Sequence, residues 1–374
     1  MGNPVAGSFV KTATDMILFY KRLINFSVLA LLLLNPITTT AQSIAKYAGE
    51  FMSIGVGARA LGMGGAFVGV VDDVTAGYWN AAGLASLDNQ QAAVMHSERF
   101  AGIVSYDYAA YARPYDNDKA LGFSIIRLGV DGISNTTNAL LDYGSDGIPG
   151  TNDADGTEGN GQLDEGERLN EDAITKFGDS EWAIYLSYGR QLTERFAYGG
   201  SVKFIRKAFA NHSANGLGFD IALRYKLRER IYLGMNLQDA TTTLLAWDTG
   251  TKELIAPTLR SGISAQIELP ITDAWIMPSI EVVTRTDGER PYSDGISIGS
   301  AFSALTYGAE LHVNERLILR AGRGEVEPFS AGMGIKVRGA TVDYAFGSVG
   351  SQENLGDTHR VSLMVDFNSG LWIQ

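Results

Sequence analysis

The sequence predicts an all-β fold: a 14-stranded antiparallel transmembrane β-barrel with a glycine-rich segment ahead of its first strand. Three observations predict it. Apolar residues recur with period two in segments of about ten residues. Short and long connections alternate along the chain. After residue 41 no run of 18 apolar residues occurs, so a membrane crossing falls to strands rather than helices.

Residues 1–41 read as a signal peptide. Lys21 and Arg22 form a basic start, Phe26–Leu34 an apolar stretch, and Thr39-Thr40-Ala41 a small-residue cleavage site near Ala41. The apolar stretch is too short to span a bilayer, and Met16 would serve as a start as well as Met1. Residues 42–88 form an N-terminal periplasmic or hatch segment, and residues 89–374 the barrel. The chain has no cysteine. That excludes a lipoprotein anchor and a disulfide scaffold and fits a bacterial envelope protein, and the barrel makes it an integral protein of a Gram-negative outer membrane.

Fourteen segments alternate: 91–97, 102–113, 118–129, 180–191, 195–207, 214–226, 230–238, 257–269, 274–284, 303–313, 316–322, 328–337, 340–347 and 358–367. In the sixth, Leu217, Phe219, Ile221, Leu223 and Tyr225 alternate with Gly218, Asp220, Ala222, Arg224 and Lys226. Strand side chains point to opposite faces in turn, so one face is apolar and the other small or charged. The charged face carries Lys203, Asp220, Arg224, Glu281, Glu310, Arg320, Lys336, Asp343 and Arg360. A soluble sandwich would show the same alternation. Loop parity separates the two. The even connections are short, as at Pro114–Asn117, Leu192–Glu194 and Arg338–Gly339, whereas most odd ones are longer, as at 130–179 and Asp239–Ala256. An up-and-down barrel with short inner turns and long outer loops has this asymmetry. On this assignment an arginine at Ile221 meets lipid, and one at Ala222 is expected to be much milder.

The net charge of −12 is concentrated. Asp142–Glu181 holds twelve acidic and two basic residues, leaving the rest of the chain close to neutral. Without a basic stripe, nucleic acid is excluded as a partner. A barrel of this size encloses a lumen too wide for wall side chains alone to fill. The glycine-rich stretch from Gly55 to Leu84 is suited to fold back inside as a plug, because glycine allows tight turns and close backbone approach.

Within that stretch "GARALGMGGAFV", Asp72-Asp73 and "YWNAAGL" closely resemble the N-terminal signature of the PorV/PorQ family, fourteen-stranded barrels related to the FadL fatty-acid transporters. The matching positions include Gly57, Gly62, Gly64, Gly65, Asp72, Asp73, Trp79, Asn80 and Gly83. FadL relatives carry Asn-Pro-Ala where this chain has Asn80-Ala81-Ala82. The resemblance implies a FadL-like barrel with a hatch, outer-membrane lipids as surroundings, and participation in type IX protein secretion. Its partners would then be other secretion-system proteins and secreted cargo at the cell surface. The alternative is a FadL-like channel for long-chain fatty acids or other hydrophobic small molecules.

Other motifs weigh less. Gly62-Met63-Gly64-Gly65 lacks the Gly-Lys-Ser/Thr and the βαβ setting of a phosphate loop. Gly295-Ile296-Ser297-Ile298-Gly299 matches a nucleophile-elbow pattern but has no convergent histidine and acid, so no enzyme is expected. His96, His212, His312 and His359 show no metal spacing. The acidic loop offers one cation candidate. Asn160-Gly161, Asp164 and Glu167 fit the back half of an EF-hand loop, while Glu158, Asp153 and Asp155 stand where its front ligands belong. Carboxylates spaced by glycines suit an oxygen cage for Ca²⁺. The competing reading is a solvated acidic loop held extended by like-charge repulsion. No other cofactor is expected.

Overall fold

The computed structural model describes residues 48–100, 102–152, 156–270, 274–287, 295–325, 327–348 and 357–367. The expected signal peptide lies outside them, as do Asp153 and Asp155.

Fourteen wall strands follow in chain order. They are β1 (Gln91–Arg99), β2 (Val104–Asp116), β3 (Lys119–Asn135), β4 (Thr175–Thr193), β5 (Phe196–Phe209), β6 (His212–Arg228) and β7 (Ile231–Gln238). Then come β8 (Thr258–Ala265), β9 (Trp275–Arg285), β10 (Ala301–His312), β11 (Leu317–Arg323), β12 (Phe329–Val337), β13 (Ala340–Ser348) and β14 (Thr358–Asp366). Each pairs antiparallel with the next, and β14 closes on β1 from Gln91↔Asp366 to Glu98↔His359. Closure gives every wall strand a partner on both sides, as a hydrocarbon environment demands.

The faces are those the alternation predicts. Leu217, Phe219 and Ile221 point outward and exposed, while Gly218, Asp220 and Ala222 are buried within. A sandwich would turn its large apolar face into a core. Here Leu186, Ile280, Leu305 and Val361 share that exposed outer surface, which only lipid can cover. One expectation fails. Ala222 is 1% exposed and packs against Ala81 and Ala82, so an arginine there has no lumen to enter.

Strand ends also differ from the expected segments. β3 and β4 pair on to Asn135↔Thr175, past an irregularity between Val130 and Ile133, so the acidic connection is 136–174 rather than 130–179. β7 is interrupted at Gln238 rather than ended. Asp239 and Thr242 take positive φ (54° and 58°), and Thr243–Trp247 then resumes pairing with β6 at Leu244↔Leu217. Lys252–Ile255 completes that hairpin, and Leu140–Leu141 pairs with Arg168–Leu169 in the acidic loop.

Residues 48–88 are contacted by the inward face of the wall. They form α1 (Glu50–Ser53), α2 (Ala58–Gly62), α3 (Ala76–Trp79) and a 3₁₀ turn at Ala81–Ser86. Helices this short are not stable alone, so packing must hold them. Gly64 shows why glycine is required: its φ is +67°, and a Cβ would lie 2.4 Å from the Arg323 backbone. Glycines on the wall allow the same closeness, with Gly308 and Gly322 admitting the Met63 backbone. The turn after Asn80 holds without a proline. Asn80 caps the 3₁₀ turn by accepting from the Ala82 N–H, and its amide donates to Val68 and Leu223 carbonyls at 2.9 and 3.1 Å.

Candidate functional site

Many charges on the inner wall are paired, several of them with the interior segment, whereas Arg224 of β6 donates to the Ser86 hydroxyl and lies over the Tyr232 ring at 4.5 Å. Glu281 of β9 accepts the Phe67 and Val68 N–H groups at 2.9 Å each and pairs with Arg260 of β8 at 2.6 Å. Arg260 in turn donates to the Gly65 carbonyl and lies over the Trp79 ring at 5.0 Å. Arg59 reaches Asp72 and Asp73 at 2.8 Å and Glu310 of β10 at 2.9 Å. Glu310 continues to Arg320, and Arg320 to Asp343, at 2.6 and 2.7 Å. Across the lumen Lys203 joins Asp220 and Asp239, the residue at the interruption after β7. Buried charges on facing strands are thereby neutralised, as burial requires.

Above the interior segment, toward the end with the long connections, lies a cavity of about 490 Å³. Its floor is Phe51, Ile54, Leu61 and Trp79 from residues 48–88, with Val104 and Leu128 on one wall. Charged groups ring it: Arg99, Glu181, Lys207, Glu325 and Glu327. Lys207 pairs with Glu181 at 2.6 Å, and Arg285 with Glu325 at 3.4 Å. An apolar floor under a paired polar rim, of this size, suits a small hydrophobic or amphipathic molecule.

Of the glycine-rich positions, Gly64, Gly65 and Trp79 line this cavity, and the others pack beneath or beside it. Trp79 donates its indole N–H to the Val56 carbonyl at 2.9 Å, with Phe67 and Tyr78 edge-on to its ring. Gly57 and Gly65 adopt positive φ, Gly62 packs on the Gly332 backbone, and Gly83 on the Val71 carbonyl. Asp72 and Asp73 are the carboxylates that hold Arg59. Sequence reasoning missed Arg59 and Arg260, the arginines that Glu310 and Glu281 of the charged inner face hold. An arginine inside a glycine-rich stretch, with lumen-facing acids elsewhere, was the available signal.

The acidic loop is separate from the cavity. Asp142 accepts N–H groups from Gly159 and Gly161 at 2.7 Å, which holds its carboxyl below the ordinary aspartate range. Glu158 accepts from Gly150 and Asn152, and Glu167 from Gly144 and Asp164. Asn160 donates to Asp164 at 2.6 Å. These carboxylates stitch the loop together instead of extending it. Among the described residues no three metal-ligating side chains converge. Ser297 sits on the strand Gly295–Ile298, paired with β10, and not on a strand-to-helix elbow. The histidines do not converge: His96 lies between Asp107 and Glu98, His212 meets Asp248, His312 meets Glu310 and stacks on Trp275, and His359 meets Tyr344.

Comparison with solved structures places the fold. The chain is similar to the toluene transporter TodX of Pseudomonas putida, with a TM-score of 0.51 at 12% identity over 83% of this chain and 97% of that one. It is also similar to the CymD monoaromatic hydrocarbon channel, with a TM-score of 0.54 at 11% identity over 84% and 98%. The fold is that of the FadL-like barrels. A Pseudomonas aeruginosa FadL homologue matches at a TM-score of 0.49, 11% identity, and 82% and 97% coverage. No family model and no curated protein sequence matches the chain.

Proposed function

We propose that this protein is an outer-membrane channel for hydrophobic small molecules, long-chain fatty acids or other lipophilic compounds, taken up from the cell surface. The observation that carries the reading is the 490 Å³ cavity, open toward the long-loop end, apolar below and charged at its rim. Residues 48–88 close it from beneath and act as the hatch. The FadL-like fold supports this reading, since TodX and CymD are a toluene transporter and a hydrocarbon channel. Fold alone does not fix function. The cavity adds a place for a ligand of that class to bind.

The type IX secretion reading rests on the resemblance carried chiefly by residues 57–84 and draws no support from the comparisons, so the channel reading takes precedence over it. A deletion strain separates them. We expect lost uptake of long-chain fatty acids or monoaromatic hydrocarbons, restored by the wild-type gene, with secretion of signal-domain proteins intact. Normal uptake with secreted proteins stalled in the periplasm would overturn the channel reading.

A further inference from the structure

The interior segment is not held equally all round. Toward β8–β11 its contacts are short and charged, with Glu281 on the Phe67 and Val68 N–H groups and Glu310 on Arg59. Wall glycines at 308 and 322, and at 234 on neighbouring β7, let its backbone lie against the strands there. Toward β14, β1 and β2 its bonds are uncharged: Val74 N–H to the Gln91 side-chain carbonyl at 3.0 Å, Gly57 N–H to the Met95 sulfur at 3.2 Å and Ala58 N–H to the Ser362 hydroxyl at 3.3 Å. These three adjacent strands contain no glycine.

On that same side, Arg360, Ser97 and Tyr106 form one inward row across β14, β1 and β2, paired Ser97↔Arg360 and Ser97↔Tyr106. All three are at least 98% buried. Yet the Tyr106 and Ser97 hydroxyls and the Arg360 Nε have no hydrogen-bond partner among the described residues. Native proteins rarely leave buried polar atoms unpaired, and a cluster of them points to a function. The row lies directly beneath the outward cavity. Leu128, which lines that cavity, is the cross-strand neighbour of Tyr106, and Glu327, which also lines it, accepts both Arg360 Nη groups. The next inward row down is Tyr108, Met95 and Ser362, and these residues line a second, small cavity beside Gly57, Arg59 and Asp73. The two cavities are thus one row of side chains apart.

Building on the channel reading, we infer that the passage runs along β14, β1 and β2, and that Tyr106, Ser97 and Arg360 form a site for the hydrogen-bonding group of the ligand. The ligand class is an apolar body carrying one uncharged hydroxyl or carbonyl. Glu327 already neutralises Arg360, so the row offers two hydroxyls and one N–H without net charge. A pure hydrocarbon leaves those groups unmet, whereas an alcohol or phenol meets them. Arg99 stands higher, at the rim, where it would favour an anion at the mouth rather than in the row.

The test uses the full-length barrel in lipid nanodiscs, with empty discs subtracted, and three fluorescent probes: naphthalene, 1-naphthol and 1-naphthoate. We expect 1-naphthol to bind about tenfold more tightly than naphthalene, the worth of one net hydrogen bond. The Tyr106→Phe/Ser97→Ala variant should weaken naphthol alone and equalise the two. Tyr106→Phe, which keeps the ring, should reduce the preference where the double variant does not fold. Equal wild-type affinities, or a preference that survives both variants, overturn the site. Tighter binding of 1-naphthoate, abolished by Arg99→Gln, overturns the uncharged head group. Binding of none of the three overturns the channel reading itself, and this inference falls with it.

Discussion

Arg59 of the interior segment and Glu310 of β10 face each other as a fork, with Nε–Oε2 at 2.9 Å and Nη2–Oε1 at 3.0 Å. They are 251 residues apart in sequence. Glu310 is fully buried and Arg59 partly so, and the pair ties the interior segment to the wall at one charged knot. The knot also explains Asp72 and Asp73, whose carboxylates satisfy the rest of the Arg59 guanidinium.

Removing the arginine leaves buried Asp73 without a cation and Glu310 with Arg320 as its one arginine partner. Arg59→Met should destabilise the protein by about 3 kcal/mol, the lower end of the range for breaking a buried pair, because Arg59 keeps some solvent contact. Arg59→Met/Glu310→Gln should recover part of that loss, as coupled residues do. Denaturant unfolding in detergent gives the stabilities, and planar-bilayer conductance reports whether the segment has loosened. Additive losses in the double variant would show that the two residues are not coupled.

The two faces of β6 make a second prediction. Ile221 is 54% exposed on the outer face, and an arginine there should cost roughly 2–4 kcal/mol near the bilayer midplane. Ala222→Arg should fail differently. It displaces Ala81 and Ala82 from the inner wall, so the barrel inserts but its interior opens. Gel mobility before and after boiling measures insertion, and conductance measures the opening. An inserted Ala222→Arg barrel with wild-type conductance would refute the packing assigned to Ala81 and Ala82.

Gly64 tests the close approach. Gly64→Ala places a methyl group 2.4 Å from the Arg323 carbonyl carbon in a left-handed backbone conformation. Overpacking of this kind costs about 1–3 kcal/mol. Gly299, also at positive φ but with nothing within 4 Å of a Cβ, is the control that carries conformational strain alone. A Gly64→Ala loss no larger than that of Gly299→Ala would remove the packing argument.

The barrel was legible because its signal is local. Leu217, Phe219 and Ile221 against Gly218 and Asp220 declare two faces within a few residues, and the short turns at Leu192–Glu194 and Arg338–Gly339 set the parity of the rest. All fourteen segments appear as wall strands. The interruption at Asp239 was not legible, because two residues in left-handed conformation leave no mark on periodicity. Nor was the reach of β3 and β4, where Gly129, Gly132 and Gly178 dilute the alternation. The glycine-rich stretch declared its compactness, but Arg59 could be matched with Glu310 only once closure had brought β10 to it. The cavity is least legible of all, since Phe51, Leu128 and Glu327 meet only in three dimensions.

The acidic loop yields the last prediction, in two parts. Asp142 is held below the ordinary aspartate range chiefly by the Gly161 N–H, so ordering of the loop favours its ionised form. A carboxyl with a depressed folded-state pKa contributes order that is complete above its free pKa, about 3.9, and is lost as pH falls through the lower folded value. Resistance of residues 142–167 to proteolysis should therefore be flat from neutral pH to about 5 and collapse only in stronger acid. An acid-active protease reads this, and Asp142→Asn should already be sensitive at neutral pH. Calcium adds a second lever. A cage drawn from Asp153, Asp155, Glu158, Asn160, Asp164 and Glu167 predicts that millimolar Ca²⁺ slows nicking more than Na⁺ at equal ionic strength. Glu158 and Glu167 already take two N–H groups each, but every carboxylate oxygen retains a second lone pair for a cation. Glu167→Gln should abolish the calcium effect while keeping an oxygen for the backbone. Equal protection by both salts assigns the effect to screening of a crowded negative loop, and the cage is then refuted.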